Sequence, residues 1–245
     1  MTDAIDKRIG IIAALPGELA PLVRGWTSVT AAKNIHRYER DVVRKDGRTI
    51  RWIALCAGIG CAAATRAFSA AEDAPLNAVI SIGWAGALTR AALPGTALAA
   101  DWIINAQTGE RFEMASHCTA TADPPIRRGL ITTSRVAEGK EKLRLATFYP
   151  GAQLVDMEAA TVARLATMRG IPAYCFKGVS DGFEDQLPDL NPFIDSHGQF
   201  QTARFIASVA IKPQHWSALR AFGANSKAAA EALASAVKLF LDQYD

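Results

Sequence analysis

The sequence predicts a single α/β domain, and three observations carry that expectation. The 245 residues are 50% hydrophobic and 21% charged, which suits one sizeable core and argues against disorder. Short apolar runs such as Arg8–Ala14, Ala78–Ile82 and Ala173–Val179 have the length and continuity of buried strands. Helical stretches separate them, and acidic residues stand where the runs end. In open α/β sheets those ends face the ligand crevice.

In chain order, Arg8–Ala14 reads as the first strand, turned by Leu15-Pro16-Gly17. Glu18–Trp26 then reads as a short helix with Leu19, Leu22 and Val23 inward. Ile35–Arg44 and Arg48–Ala57 form a hairpin around Lys45-Asp46-Gly47, whose Asp-Gly pair is the turn signal. Gly58-Ile59-Gly60-Cys61-Ala62-Ala63 follows and matches GxGxxA. A dinucleotide loop would place this motif in the first strand–helix unit, with an acid about 20 residues on. Here Ile80 stands at that distance. The small residues are therefore expected to let helix Cys61–Ala71 pack close to the sheet. Ala78–Ile82 is a buried strand that opens into a loop, Gly83-Trp84-Ala85-Gly86-Ala87-Leu88, where Trp84 is either a stacking wall or packing.

Thr96–Ile104 is a further strand, and Asn105–Arg128, with His117 and Pro124-Pro125, reads as a loop or flap. Leu130–Thr133 is strand-like and Glu138–Thr147 helical. Leu154–Val155 is a short strand, and Asp156–Met168 a helix with Glu158 in its first turn. The dipole at a helix N-terminus favours a carboxylate, so Glu158 is expected to stay ionised. Ala173–Val179 is apolar except for Lys177 and ends at Ser180-Asp181. Gly182–Asn191 is a loop that closes at Phe193, and Ser226–Gln243 is an amphipathic helix capped by Ser226. No repeat, linker or low-complexity segment divides the chain, so residues 1–245 are read as one domain.

Several function classes fall away. The formal net charge is only +3, and the basic residues are scattered, with no block longer than Arg127-Arg128. Nothing in this pattern fits nucleic acid. The four cysteines, Cys56, Cys61, Cys118 and Cys175, form no CxxC pair. They read as buried free thiols in a reducing compartment. No metal or organic cofactor is indicated. Lys7-Arg8 before Ile9–Leu15 loosely imitates a signal peptide, but Pro16-Gly17-Glu18 interrupts the run. No run approaches the roughly 18 apolar residues of a membrane span. The expectation is a soluble, cytoplasmic protein.

The chemistry concentrates at Val155-Asp156-Met157-Glu158 and Ser180-Asp181, with Glu18 at the first strand's end. With Ile9–Ala14, Ala57-Gly58-Ile59-Gly60 and Ile82–Leu88, these segments resemble the nucleoside phosphorylase superfamily. The nearest likeness is its methylthioadenosine/S-adenosylhomocysteine nucleosidase branch, over roughly residues 8–193. The tail from Asn191 to Leu233 is similar to the hopanoid-associated phosphorylase group, whose members act on adenosylhopane. The resemblance implies a twisted mixed sheet flanked by helices, cleavage of a purine nucleoside's N-glycosidic bond, and a homodimer or larger homo-oligomer. It implies that Asp181, placed by Ser180, protonates or hydrogen-bonds purine N7. It assigns Glu158 and Met157 to the ribose, Glu18 to the attacking water, Phe193 to a cover, and the backbone near Val136 to the base edge. Asp156, Trp84 and Lys177 join the candidate substrate-binding set.

These residue types suit the reaction independently. Carboxylates around a sugar stabilise an oxocarbenium-like transition state. A purine leaves more readily once protonated, and water gains from a base. A raised Asp181 pKa is expected at the end of a buried strand. Water or phosphate as nucleophile is weighed from residue types. The phosphorylases carry an Arg three residues before a Ser or Thr in the third glycine segment, where this chain has Ser81 and Trp84. Glu18 would repel phosphate; Lys177 and Arg24 are the cations that could still attract it. Two other classes stay open: a nucleoside-binding protein without turnover, suggested by Trp84, and a nicotinamide-dependent oxidoreductase using Gly58-Ile59-Gly60.

Overall fold

The computed structural model describes residues 5–115, 128–210 and 216–244. His117, Cys118 and Pro124-Pro125 lie outside the described residues. The chain runs β1 (Lys7–Ala13), α1 (Pro16–Leu19), β2 (Thr27–Val29), β3 (His36–Val43), β4 (Thr49–Cys56), α2 (Cys61–Ala71) and β5 (Ala78–Ala87). It continues through β6 (Ala97–Ala99), β7 (Trp102–Asn105), β8 (Arg111–Glu113), β9 (Gly129–Thr132), α3 (Gly139–Phe148) and β10 (Ala152–Asp156). The last elements are α4 (Ala159–Arg169), β11 (Ala173–Asp181), a 3-10 turn at Asn191–Phe193, α5 (Thr202–Ala210) and α6 (Trp216–Gln243).

The described strands join one mixed sheet in the order β2-β3-β4-β1-β5-β10-β9-β7-β8, with β11 paired to β5 and β6. β1, β4, β5 and β11 pair in parallel at the centre, while β3 meets β4 and β10 meets β5 antiparallel. The α/β expectation holds: one mixed sheet with helices on both faces. Strand alternation sorts the core. Ile9, Ile11 and Ala13 pack with Ile80, Ile82 and Phe176 against Leu233, Val237 and Leu241 of α6. Ile12, Ile53, Leu55 and Val79 face the other way, onto Ala63, Ala64, Ala67 and Phe68 of α2 and Val162 and Ala166 of α4. Cys56 and Cys175 are buried free thiols, each pushed up to about 12 by burial, whereas Cys61, at the start of α2, is exposed, against the expectation of burial.

Several boundaries move, each for a physical reason. The helix expected over Glu18–Trp26 is a single turn, Pro16–Leu19, yet Leu19, Leu22 and Val23 are buried as expected. The strand expected over Thr96–Ile104 breaks at Ala100-Asp101, because β6 pairs with β11 while β7 pairs with β9. Within the expected loop Asn105–Arg128, Arg111–Glu113 forms a strand on β7. Ser226 is not a cap: α6 begins at Trp216 and Ser226 is buried within it.

The largest change is in β5. It does not stop at Ile82 but runs to Ala87, so the supposed glycine loop is strand, with Trp84 inside it. This extension carries β5 between β11 and β10. The ends of three strands therefore share one rim.

Candidate active site

A cavity of about 260 Å³ opens at that rim. Its wall includes Glu18, Trp84, Val136, Met157, Glu158, Ser180 and Asp181. Residues separated by more than 160 positions thus converge as the sequence implied.

Glu18 is 4% exposed and, among the described residues, forms no ion pair. Its carboxylate instead accepts three main-chain N–H groups: Ala14 and Leu15 at Oε2 and Trp84 at Oε1, each at 2.8 Å. Gly83 makes room: a Cβ there would lie 3.0 Å from Glu18 Oε1. Burial raises the Glu18 pKa above the usual carboxylate range, while the Trp84 and Leu15 amides, Lys177 and the Ala14 amide pull it back in part. Trp84 combines both readings of the indole. Its ring lines the cavity and packs over Gly17, and its Nε1–H donates to the Ser226 carbonyl at 2.9 Å.

Glu158 corrects an expectation. It is the residue before α4, and Gly60 N–H donates to its Oε1 at 2.6 Å. The helix end does not keep it ionised. Burial first, and then the charge of Asp156, push it up to about 8, against the pull of Lys177. A helix dipole is worth about 0.3–1 kcal/mol at an exposed end, and removing a carboxylate from water costs several times that.

Asp156 and Lys177 form a buried pair, and the second correction is to Lys177. Their side chains are fully enclosed and pair with each other at 2.9 Å. Asp156 also accepts the Thr132 hydroxyl at 2.7 Å and the Ala159 N–H at 2.9 Å, capping α4. Burial opposes the Lys177 charge, but Asp156, with Cys175 and Glu158, holds the ammonium above the usual lysine range. The pair ties β10 to β11; Asp156 is among the wall residues of the cavity and Lys177 is not.

Asp181 ends β11. Ser180 Oγ lies 2.5 Å from its Oδ1 and 3.3 Å from the Ala85 carbonyl. Its other oxygen, Oδ2, meets the ammonium of Lys142, which also donates to the Gly182 carbonyl at 2.6 Å. The setting is an ion pair, not the apolar strand end that the sequence suggested. Gly86 makes the approach possible: a Cβ there would sit 3.0 Å from Asp181 Oδ2 and 3.1 Å from Lys142 Cε.

The segment after β11 forms the remaining wall. Leu187, Leu190, Ile194, Phe200, Phe205 and Phe222 line the cavity; Phe193 does not, and packs edge-on against Phe205. The segment is moored on the Gly58-Ile59-Gly60 loop: Ile59 N–H donates to Gly198 O at 2.7 Å and Gln199 Nε2 to Ala57 O at 3.0 Å. Gly58, at φ +112°, would bring a Cβ within 2.7 Å of Gly198 O. The glycines thus serve this docking, while buried Ala63 and Ala64 set α2 against the sheet. The loop's three amides are all bonded within the chain, Gly58 N–H to Ala14 O at 2.9 Å. That leaves no cradle for a dinucleotide pyrophosphate.

Arg24 does not reach the cavity and pairs with Glu231 on the surface. Lys142, Arg135, Asn191 and the aromatic tail were missed from sequence. For Lys142 a signal existed: it shares the inward face of α3 with Leu145, three residues on. Among the described residues, no group of three or more His, Cys, Asp or Glu is placed to hold a metal ion.

The model of the phosphorylase superfamily matches residues 8–212. The chain belongs to the phosphorylase superfamily. Among curated proteins nothing matches its sequence. Solved structures of the superfamily fold do. A 5′-methylthioadenosine/S-adenosylhomocysteine nucleosidase of Helicobacter pylori is similar at 16% identity and TM-score 0.67, over 97% of this chain and 99% of that one. A putative nucleosidase of the same name from Francisella philomiragia gives 17% and 0.69, over 97% and 100%. The futalosine hydrolase of Helicobacter pylori gives 16% and 0.66, over 97% and 98%. At these identities the likeness establishes the superfamily fold.

Proposed function

We propose that this chain hydrolyses the N-glycosidic bond of an adenosine-type nucleoside, with water as nucleophile and the free base as product. The seat of Glu18 carries the reading. Three converging main-chain amides are what a phosphate would need, and the chain fills them with its own carboxylate. Acidic Glu18, Asp156, Glu158 and Asp181 share the wall with one cation, Arg135, among the described residues. That balance repels a phosphate and favours a sugar developing positive charge. Burial raises the Glu18 pKa, which makes the carboxylate a stronger base.

In this reading Asp181 gives a proton to N7, Glu158 takes the ribose hydroxyls, and Met157 packs on the sugar. The base edge meets the main chain of Val136. There, Val136 N–H donates to Asn191 Oδ1 at 2.8 Å, and Asn191 Nδ2 donates to Val136 O at 3.2 Å. The carboxamide offers an acceptor beside a donor, as the N1 and amino group of adenine do, whereas hypoxanthine offers the reverse. The six apolar residues of the tail suit an apolar 5′ substituent, with adenosylhopane-type nucleosides as one such class. The homo-oligomer and the cytoplasmic setting belong to the same reading.

The test is base release from methylthioadenosine, S-adenosylhomocysteine, adenosine, inosine and an adenosine carrying a long 5′ alkyl group, with and without phosphate. Adenine released without phosphate, and lost in Asp181→Asn, is the expected result. Release only with phosphate would overturn it in favour of phosphorolysis, the second reading, which Arg135 on the wall favours.

A further inference from the structure

Lys142 is a buried charge that the reaction outlined above does not use. It is 2% exposed, comes from the inward face of α3, and is absent from the cavity wall. Its ammonium reaches Asp181 Oδ2 from behind and the Gly182 carbonyl beside it. Burying a lysine is costly unless it is paired and hydrogen-bonded. A structural pair for the core already exists in Asp156 and Lys177. Lys142 is spent on the carboxylate that faces the cavity, and Gly86 is kept side-chain-free where the two meet.

We propose that Lys142 is a positioning residue for base departure, holding with Asp181 the single proton that the leaving purine takes. This rests on the proposed nucleosidase reading. As the C1′–N9 bond breaks, its electron pair goes to the purine. The pair's one transferable proton starts on Lys142 Nζ beside the Asp181 carboxylate; Nζ–H passes it to Oδ2 as Asp181 delivers a proton to N7, which leaves Lys142 neutral beside the carboxylate. The attacking water loses a proton to Glu18 and bonds to C1′. After product release, the proton on Glu18 returns through solvent to the pair. Lys142 acts only through Asp181 and touches no substrate. Ser180, on the other oxygen, fixes the carboxyl plane.

The role predicts dependence on the leaving group. A purine needs protonation to depart; a nitrophenolate does not. In Lys142→Met, kcat for adenine release should fall roughly 100-fold or more, the scale of general acid catalysis, with KM little changed. Hydrolysis of 4-nitrophenyl riboside should stay within about threefold of wild type. Lys142→Arg should recover part of the adenine rate. Because Lys142→Met strands a buried carboxylate, the double variant Lys142→Met/Asp181→Asn is made beside Asp181→Asn alone. Residues that act as a unit are non-additive, so the double variant should be no slower than the single. Equal loss on both substrates, unchanged adenine release, or additive loss in the double variant would overturn the role of Lys142. A wild type that cleaves neither substrate would overturn the nucleosidase reading itself, and the role with it.

Discussion

Replacing Glu158 by glutamine separates what this residue does for the fold from what it does for the ligand. Its carboxyl has an ordinary value of 4.5 in the unfolded chain and about 8 in the empty folded protein, raised by burial and by Asp156. The unfolded state therefore ionises first as pH rises. Stability from this group is full below 4.5, falls as pH climbs from 4.5 to about 8, and levels off above. At pH 7 the unfolded chain has gained roughly 2.5 units of ionisation free energy that the folded chain has not, about 3 kcal/mol at 1.36 kcal/mol per unit. Glutamine keeps an acceptor for the Gly60 N–H and removes the titration. The variant should therefore be more stable than wild type, by ~1 kcal/mol at pH 5, ~3 at pH 7 and ~4–5 at pH 8.5. For a chain of this size 1 kcal/mol moves Tm by about 2–4 °C, so ligand-free thermal unfolding at the three pH values resolves the trend. A variant less stable than wild type at pH 7, or a gap that does not widen with pH, would refute the argument. The same variant should lose about 10–100-fold in kcat/KM, the scale of a hydrogen bond to a charged group. In wild type, KM should fall between pH 7 and 8.5, because ribose hydroxyls donate to the ionised carboxylate and its fraction rises with pH.

Three further outcomes follow from contacts already described. Glu18→Ala should lower hydrolysis by about 10²–10⁴, and formate should restore part of the rate by entering the vacated amides; full activity without a carboxylate would contradict the assignment of the base. Asn191→Ala removes the side chain that competes for Val136, so calorimetry should show adenine binding up to about tenfold tighter, at 0.5–1.5 kcal/mol per hydrogen bond; weaker binding would mean that Asn191 supports the site rather than standing in for the base. Gly58→Ala forces a Cβ into a positive φ and against Gly198 O; the 195–201 segment should become protease-sensitive and KM should rise, and unchanged digestion would disprove the mooring.

Much of the fold was legible because its cues are local. Arg8–Ala14 and Ala173–Val179 carry continuous apolar runs, and Asp46-Gly47 marks its own hairpin, observed with Gly47 at φ +85°. Glu18 and Asp181 were legible by position, since strand ends of a parallel centre share one rim; Glu158 reaches the same rim from β10, which meets β5 antiparallel. Partners across the fold were not. Lys140 and Lys142 look alike in sequence, and only the packing of α3 sends one to Asp181, 39 residues away. The tail offers several aromatic residues, and its path over the Gly58 loop selects Phe200, Phe205 and Phe222 over Phe193.

The four wall acids differ in what compensates them: Asp156 has Lys177, a hydroxyl and an amide. Glu18 has three amides. Asp181 has a lysine and a serine hydroxyl. Glu158 has one amide, with Asp156 as a like-charged neighbour, and is lifted to about 8, while burial raises Glu18 as well. A carboxylate buried with too few donors is a site waiting for hydroxyls. The ribose of a nucleoside would bring two, so the shortfall at Glu158 makes sugar binding and proton release one event. That coupling gives the pocket a reason to hold a poorly compensated acid, which packing alone would have removed.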